Sequence, residues 1–243
     1  MKLLLMYFCI LFYSVSLYAD DIRTLKVAIY LDPPYVDYKN NQYIGEDIDL
    51  LIYLAKKSNM QIEYIRCPIA RCLYLVKEGV ADMVMQLKKT PERIKDYIFL
   101  QPATFIQEFP LNFYINKGLF NTIQNYQDLT GLKIGVIRGM SYFDRFDKDT
   151  ELLKVKVNNR EQLVGMLKKG RIDTFLDRDD AMLPILNRLN SQGEINKAKF
   201  KFTKYVNSYL VISKKTDIST YRNKLSHHLK DIVKIKQNTA NKK

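Results

Sequence analysis

Histidine is scarce: the 243-residue chain has two, His227 and His228, side by side. No separate histidine is left to complete a Ser-His-Asp set, and no ligand cluster, metal centre or cofactor motif is encoded. Between Ser226 and Lys230, the pair reads as one solvated helix face. Cysteine is nearly as scarce. Cys9 lies in an N-terminal apolar run, which leaves Cys67 and Cys72. Their C-x4-C spacing is not the C-x2-C of redox enzymes, and no histidine or acid stands nearby for a two-ligand metal site. After residue 19 no apolar run could span a bilayer. Acidic residues are outnumbered, giving a formal charge of +13. The lysines are nonetheless scattered, with no basic block beyond the terminal KIKQNTANKK. Zinc-finger spacing and RNA-binding aromatic motifs are missing, which argues against a nucleic-acid partner. Solvated surface lysines remain, with attraction for anionic ligands or a membrane face as a secondary effect.

What is present starts with an export signal. Lys2 supplies the positive start, residues 3–17 the apolar run, and Ala19 a cleavage site, so residues 1–19 read as a signal peptide and the mature chain as a soluble monomer from Asp20. Phe8 stands where a lipoprotein signal would need a small residue before Cys9. In an oxidising compartment the even pair Cys67 and Cys72 is expected to form a disulfide, where a strand at 61–66 meets a helix from about residue 69.

The mature chain alternates strand and helix patterns. LKVAIYL (25–31) is a β-prone run stopped by Asp32-Pro33-Pro34. After the polar turn Lys39-Asn40-Asn41, residues 46–57 show helical spacing, acids first and lysines last. The strand at 61–66, a helix to Glu78 and a strand at 83–87 complete one unit; residues 105–115 read as an extended crossing interrupted by Pro110. The pattern then repeats: a strand at 133–137, a helix from Ser141, a strand at 153–157, an Asn159-capped helix to Lys169 and a strand at 172–176. A helix at 179–189, an extended segment at 208–213 and an amphipathic helix at 217–236 follow.

The two units echo each other in sequence. Lys77-Glu78-Gly79-Val80-Ala81-Asp82 parallels Lys168-Lys169-Gly170-Arg171-Ile172-Asp173, and Lys26 with Tyr35 parallels Lys133 with Tyr142. This implies an α/β fold of two similar lobes: residues 20–108 in lobe 1, 109–206 in lobe 2, and 207–243 returning to lobe 1 with the last helix. Ligands of parallel α/β sheets bind beyond the C-terminal strand ends, which selects the loops at 30–35, 86–93, 139–142 and 177–180. In GVADMVMQLKKTPER (79–93), Thr90 can cap a helix, Pro91 fits its first position, and Arg93 falls in its first turn. A guanidinium beside free backbone N–H groups at a strand end suits a carboxylate.

At these loops the sequence resembles the periplasmic solute-binding proteins of family 3, the polar amino-acid receptors of ABC importers. The carriers are DPPYVDYKNNQYIGEDIDLL, GVADMVMQLKKTPER, YQDLTGLKIGVIRGMSY and KKGRIDTFLDRDD, over essentially all of the mature chain. The resemblance implies a type II two-lobe fold with two hinge crossings, a ligand cleft between the lobes, and delivery of an amino acid or related zwitterion or anion to an inner-membrane ABC permease. It implies that Arg93 grips a ligand carboxylate, that Ser141 adds donors from the other lobe, and that Tyr30 or Tyr35 covers the ligand. An acid should hold the ligand amine, but its usual offset falls on Arg178, leaving Asp177 or Asp179. The segment before Thr90, usually small and hydroxyl-rich, is Gln86-Leu87-Lys88-Lys89 and one residue shorter. Its lysines either face a more anionic ligand or point to solvent. Other readings of the fold are a soluble sensory module and a dehydratase-like enzyme, the latter with Asp32 or Glu46 as its acid. Binding without catalysis is the leading expectation.

Overall fold

The computed structural model describes residues 22–107, 110–119, 123–203 and 206–240; the signal segment and Cys9 lie outside them. Strand β1 (Arg23–Ile29) opens the first unit. A hairpin of β2 (Asp37–Lys39) and β3 (Gln42–Ile44), β4 (Met60–Arg66), β5 (Met83–Lys88), β6 (Tyr97–Phe99) and β7 (Phe105–Gln107) follow it. The second unit contains β8 (Leu111–Asn116), β9 (Lys133–Ile137), β10 (Leu153–Val157), β11 (Thr174–Arg178) and β12 (Ile195–Phe202), and β13 (Val206–Ser213) returns to the first. The strands form two mixed sheets, ordered β4-β1-β5-β13-β6 with β7 on β13, and β10-β9-β11-β8-β12. β1 runs parallel to β4 and β5, and β9 parallel to β10 and β11.

The chain passes between sheets twice, from β7 to β8 and from β12 to β13. These passes run side by side, since β7 pairs antiparallel with β13 and β8 with β12. Strand alternation buries both faces of each sheet. In β1, Leu25 and Val27 pack under the helices Glu46–Ser58 and Arg222–Ala240, whereas Ala28 faces the helix Ile69–Lys77. In β8, Phe113 and Tyr114 likewise enter opposite cores.

The sequence echo is a geometric repeat. Gly79 and Gly170 both end helices with positive φ, 75° and 64°. Asp82 and Asp173 then tie the first strands of their units in the same way. The Lys26 and Lys133 N–H groups donate to these carboxylates at 2.9 and 2.7 Å, and the aspartate N–H groups donate back to Lys26 and Lys133 carbonyls. Both aspartates are structural fasteners.

Several short elements escape the sequence patterns. The β2–β3 hairpin turns on Asn40 and Asn41, both at positive φ, but its strands are too short and polar to alternate visibly. β6 and β12 are edge strands of their sheets; β12, INKAKFKF, is lysine-rich as edges often are. The helix expected from Ser141 begins only at Asp144. Asp147 accepts from Ser141 Oγ and Tyr142 N–H, and the Ile137 N–H donates to the Tyr142 hydroxyl, which fixes residues 141–142 as a loop. The final helix is preceded by a 3-10 turn at Asp217–Tyr221.

Candidate functional site

The selected loops meet where the two sheets face each other. Asp32 is set by the tight DPPYV turn: its N–H donates to Val36, and its carbonyl accepts from Tyr35 and Val36. Its carboxylate, from the first unit, is 2% exposed and meets two arginines of the second. Arg160 Nη2 lies 2.8 Å away, and Arg178 Nη2 reaches both oxygens at 3.1 and 3.2 Å. Arg160 also grips buried Asp177 through Nε and Nη2, at 2.7 and 3.2 Å, and Arg178 Nε reaches Asp180 at 3.1 Å. Burial by itself would raise the Asp32 pKa, but Arg178 and Arg160 outweigh it and hold the carboxyl below the usual range. Burial would likewise depress both arginines, yet Asp177 and Asp32 hold Arg160 above its ordinary value, and Asp32 does so for Arg178.

Arg93 is placed differently. The Thr90 hydroxyl accepts from the Arg93 N–H, confirming the cap, and Pro91 starts the short helix Pro91–Asp96. The guanidinium donates to two carbonyls, Lys88 at 2.9 Å and Gly139 at 2.7 Å, the second from the opposite unit. Among the described residues no carboxylate lies within ion-pair distance of it. Burial lowers its pKa, against the smaller opposing pull of Asp147 and Glu92, and its direct hydrogen-bond partners are neutral carbonyls. Gly139 also packs closely on the helix Ile69–Lys77: a Cβ there would lie 2.9 Å from Ala70 Cα, and its φ is 86°.

Lys88 points inward across the same gap. Its ammonium donates to the Tyr142 carbonyl at 3.2 Å and pairs with Asp144 at 3.3 Å. Lys89 is exposed, its ammonium 6.0 Å from the Phe99 ring centre. Gln86 takes a positive φ of 52° within β5. Opposite it, the pairing slips by one residue: Tyr209 faces Leu87, while Val211 faces Val84. This β-bulge throws Leu87 into the core that holds Val84 and turns the Gln86 amide onto Asp47. Tyr30 donates its hydroxyl to the Met85 carbonyl, and burial raises its pKa. The Tyr35 ring lies 5.6 Å from the Arg178 guanidinium carbon.

Tyr30, Gln86, Lys88, Arg93, Ser141 and Arg178 line one cavity of about 50 Å³ between the units, with Asp32 and Asp177 in its wall. Asp179 turns away into its own sheet, accepting from Asn112, Tyr114 and Lys197. Glu46 starts the helix Glu46–Ser58. A typical ligand pocket is roughly 300 Å³ or more, so this cavity is smaller than one. A wider groove of about 840 Å³ runs beside it, with Tyr30, Met140 and Arg160 in its wall.

Arg160 is the site residue that sequence reasoning missed. Its signal was the loop after β10, a parallel strand ending at Val157 like those that selected the other loops. Away from the cleft, Cys67 and Cys72 form the expected disulfide, with Cα atoms 5.4 Å apart. Ligand atoms of His227, His228 and Asp231 lie within 4.8 Å of one another on the last helix.

Comparison with known proteins gives the family and the fold. Residues 25–233 match the family model for bacterial extracellular solute-binding proteins, family 3. A probable histidine-binding protein of Campylobacter jejuni is 26% identical over 173 residues, 67% of this chain and 63% of the relative. A putative ABC transporter arginine-binding protein of Escherichia coli is 29% identical over 163 residues, 64% of this chain and 62% of the relative. Both matches thus span less than two thirds of the relative's length. An amino acid ABC transporter substrate-binding protein from Streptococcus pneumoniae, solved with L-arginine, superposes with a TM-score of 0.70 at 22% identity, over 87% of this chain and 89% of that one. The holo arginine-binding protein of T. maritima gives 0.73 at 16% identity, over 86% and 90%. These structures share the two-lobe α/β fold. With the family model spanning nearly all of the described chain, the protein belongs to the bacterial extracellular solute-binding proteins, family 3.

Proposed function

We propose that this protein captures a small carboxylate-bearing solute, an amino acid or a related zwitterion or anion, and delivers it to an ABC permease in the inner membrane. Capture takes place in the periplasm after cleavage at Ala19, with a monomer as the working unit. Lobe 1 is residues 20–108 with 207–243, and lobe 2 is 109–206. The observation that carries the reading is Arg93, a partly buried guanidinium in the interlobe cavity with carbonyl partners and no carboxylate among the described residues. A ligand carboxylate supplies the missing charge, and Ser141 adds a contact from lobe 2. Closing the lobes exchanges the solute's hydration for fixed donors. The relatives named for histidine and arginine binding support the solute class. The reading assigns binding without a covalent step. Asp32, held ionised between Arg160 and Arg178, is poorly suited to donate a proton as a dehydratase would require.

A thermal-shift screen of the mature protein against amino acids, polyamines and small organic acids tests this. A ligand at a hundred times its Kd adds about 2.7 kcal/mol of stability by mass action. A screen in which only polyamines raise the Tm would contradict a carboxylate anchor.

A further inference from the structure

Resting on that reading of the cleft, we infer that the site selects acids that lack an ammonium group beside the carboxylate, and that Arg178 is the residue that sets this preference. A ligand ammonium needs a carboxylate or carbonyl with room to accept. The aspartates of the cavity wall, Asp32 and Asp177, and the two that follow Arg178, Asp179 and Asp180, are each engaged by a cation. Asp32 takes Arg160 and Arg178. Asp177 takes two donors from Arg160 and the Arg178 N–H. Asp180 takes Arg178 Nε, and Asp179 takes Lys197 of β12 in its own sheet.

Arg178 lines the cavity beside Asp32 and Asp177, 9% exposed, with its guanidinium on the Asp32 carboxylate. An ammonium at Asp32 would therefore share a carboxylate that two guanidinium groups already hold, one of them beside it in the cavity wall. The charges in the cavity wall point the same way: Lys88, Arg93 and Arg178 against Asp32 and Asp177, with Arg160 bound to both acids. A zwitterion satisfies Arg93 but brings a new cation beside Arg178. An acid without the amine satisfies Arg93 and adds no such repulsion. A second acidic group can share the Arg178 guanidinium with Asp32, as a planar fork with several donors allows.

The test uses matched pairs that differ only in the amine: propionate and L-alanine, succinate and L-aspartate, glutarate and L-glutamate. Each is titrated calorimetrically into the mature protein, the Arg178→Gln variant and the Arg93→Ala variant. In the parent, the amine-free member of at least one pair binds at least tenfold tighter than its amino acid. Arg178→Gln narrows that ratio, whereas a merely structural loss would weaken both members alike. Arg93→Ala weakens both members together. If the amino acid of every binding pair is the tighter ligand, the selectivity is wrong, while Arg93 dependence still upholds the carboxylate site. If no member of any pair binds, both the selectivity and the site reading fall. A ratio unchanged in Arg178→Gln removes Arg178 from the role.

Discussion

Arg160, directly after the helix cap Asn159, links the two aspartates that the fold buries most deeply at the cleft, Asp32 and Asp177. Removing one partner of a buried ion pair costs about 3–5 kcal/mol, because the other charge stays buried and unpaired. Arg160→Ala is expected to lower unfolding stability by that amount, read from the urea midpoint at unchanged slope. Ser141→Ala is expected to be mild, since Ser141 Oγ donates to Asp147 and its loop keeps the Tyr142 N–H bond. About 1–2 kcal/mol of ligand affinity would be lost with one hydrogen bond to a charged group, measured by titration. At this scale the sequence was legible where local chemistry decides. Thr90, Pro91 and Arg93 announce a capped helix with a guanidinium in its first turn, and the cap forms. Which carboxylates would be spoken for was not legible, because Arg160 reaches Asp32 from 128 positions further along the chain. Only tertiary structure brings them together.

Among elements, most strands and helices followed from apolar periodicity, and the Gly79/Asp82 and Gly170/Asp173 echo predicted two units built alike. The failures were short or locally overruled. The helix expected at Ser141 is delayed because Asp147 binds the Tyr142 N–H and the Tyr142 hydroxyl is held by the Ile137 N–H at the end of β9. The bulge at Gln86 leaves no pattern in a single strand, since it is defined by the slip against β13. The start of the helix Glu46–Ser58 offers a sharp test. A Cβ on Gly45 would lie 2.2 Å from the Tyr35 carbonyl oxygen, at a φ of 121°. Gly45→Ala must distort the DPPYV turn that holds Asp32, at a cost of about 1–3 kcal/mol for the strained backbone alone. Thermal unfolding should register the loss. An unchanged Tm would show that the turn yields freely.

At the scale of the molecule, the two units touch through charge: Asp32 with Arg160 and Arg178, Lys88 with Asp144, and Arg93 with the Gly139 carbonyl. Because the Asp32 pKa is lowered in the folded state, its contribution to stability is present above the ordinary carboxylate pKa of about 3.9. It is lost as pH falls through the lowered value. An Asp32→Asn variant should therefore show a flatter acid limb of stability against pH than the parent. Equal limbs would mean that other carboxylates dominate. The most direct test of the central claim is titration of the parent and of Arg93→Ala with the best carboxylate from the thermal-shift screen. Losing the only cation of the cavity wall without a carboxylate partner among the described residues should cost roughly 2–5 kcal/mol of affinity. That is a weakening of at least about thirtyfold, with the fold intact by circular dichroism. Binding by Arg93→Ala within twofold of the parent would contradict the account and move the carboxylate to another cation of the cleft.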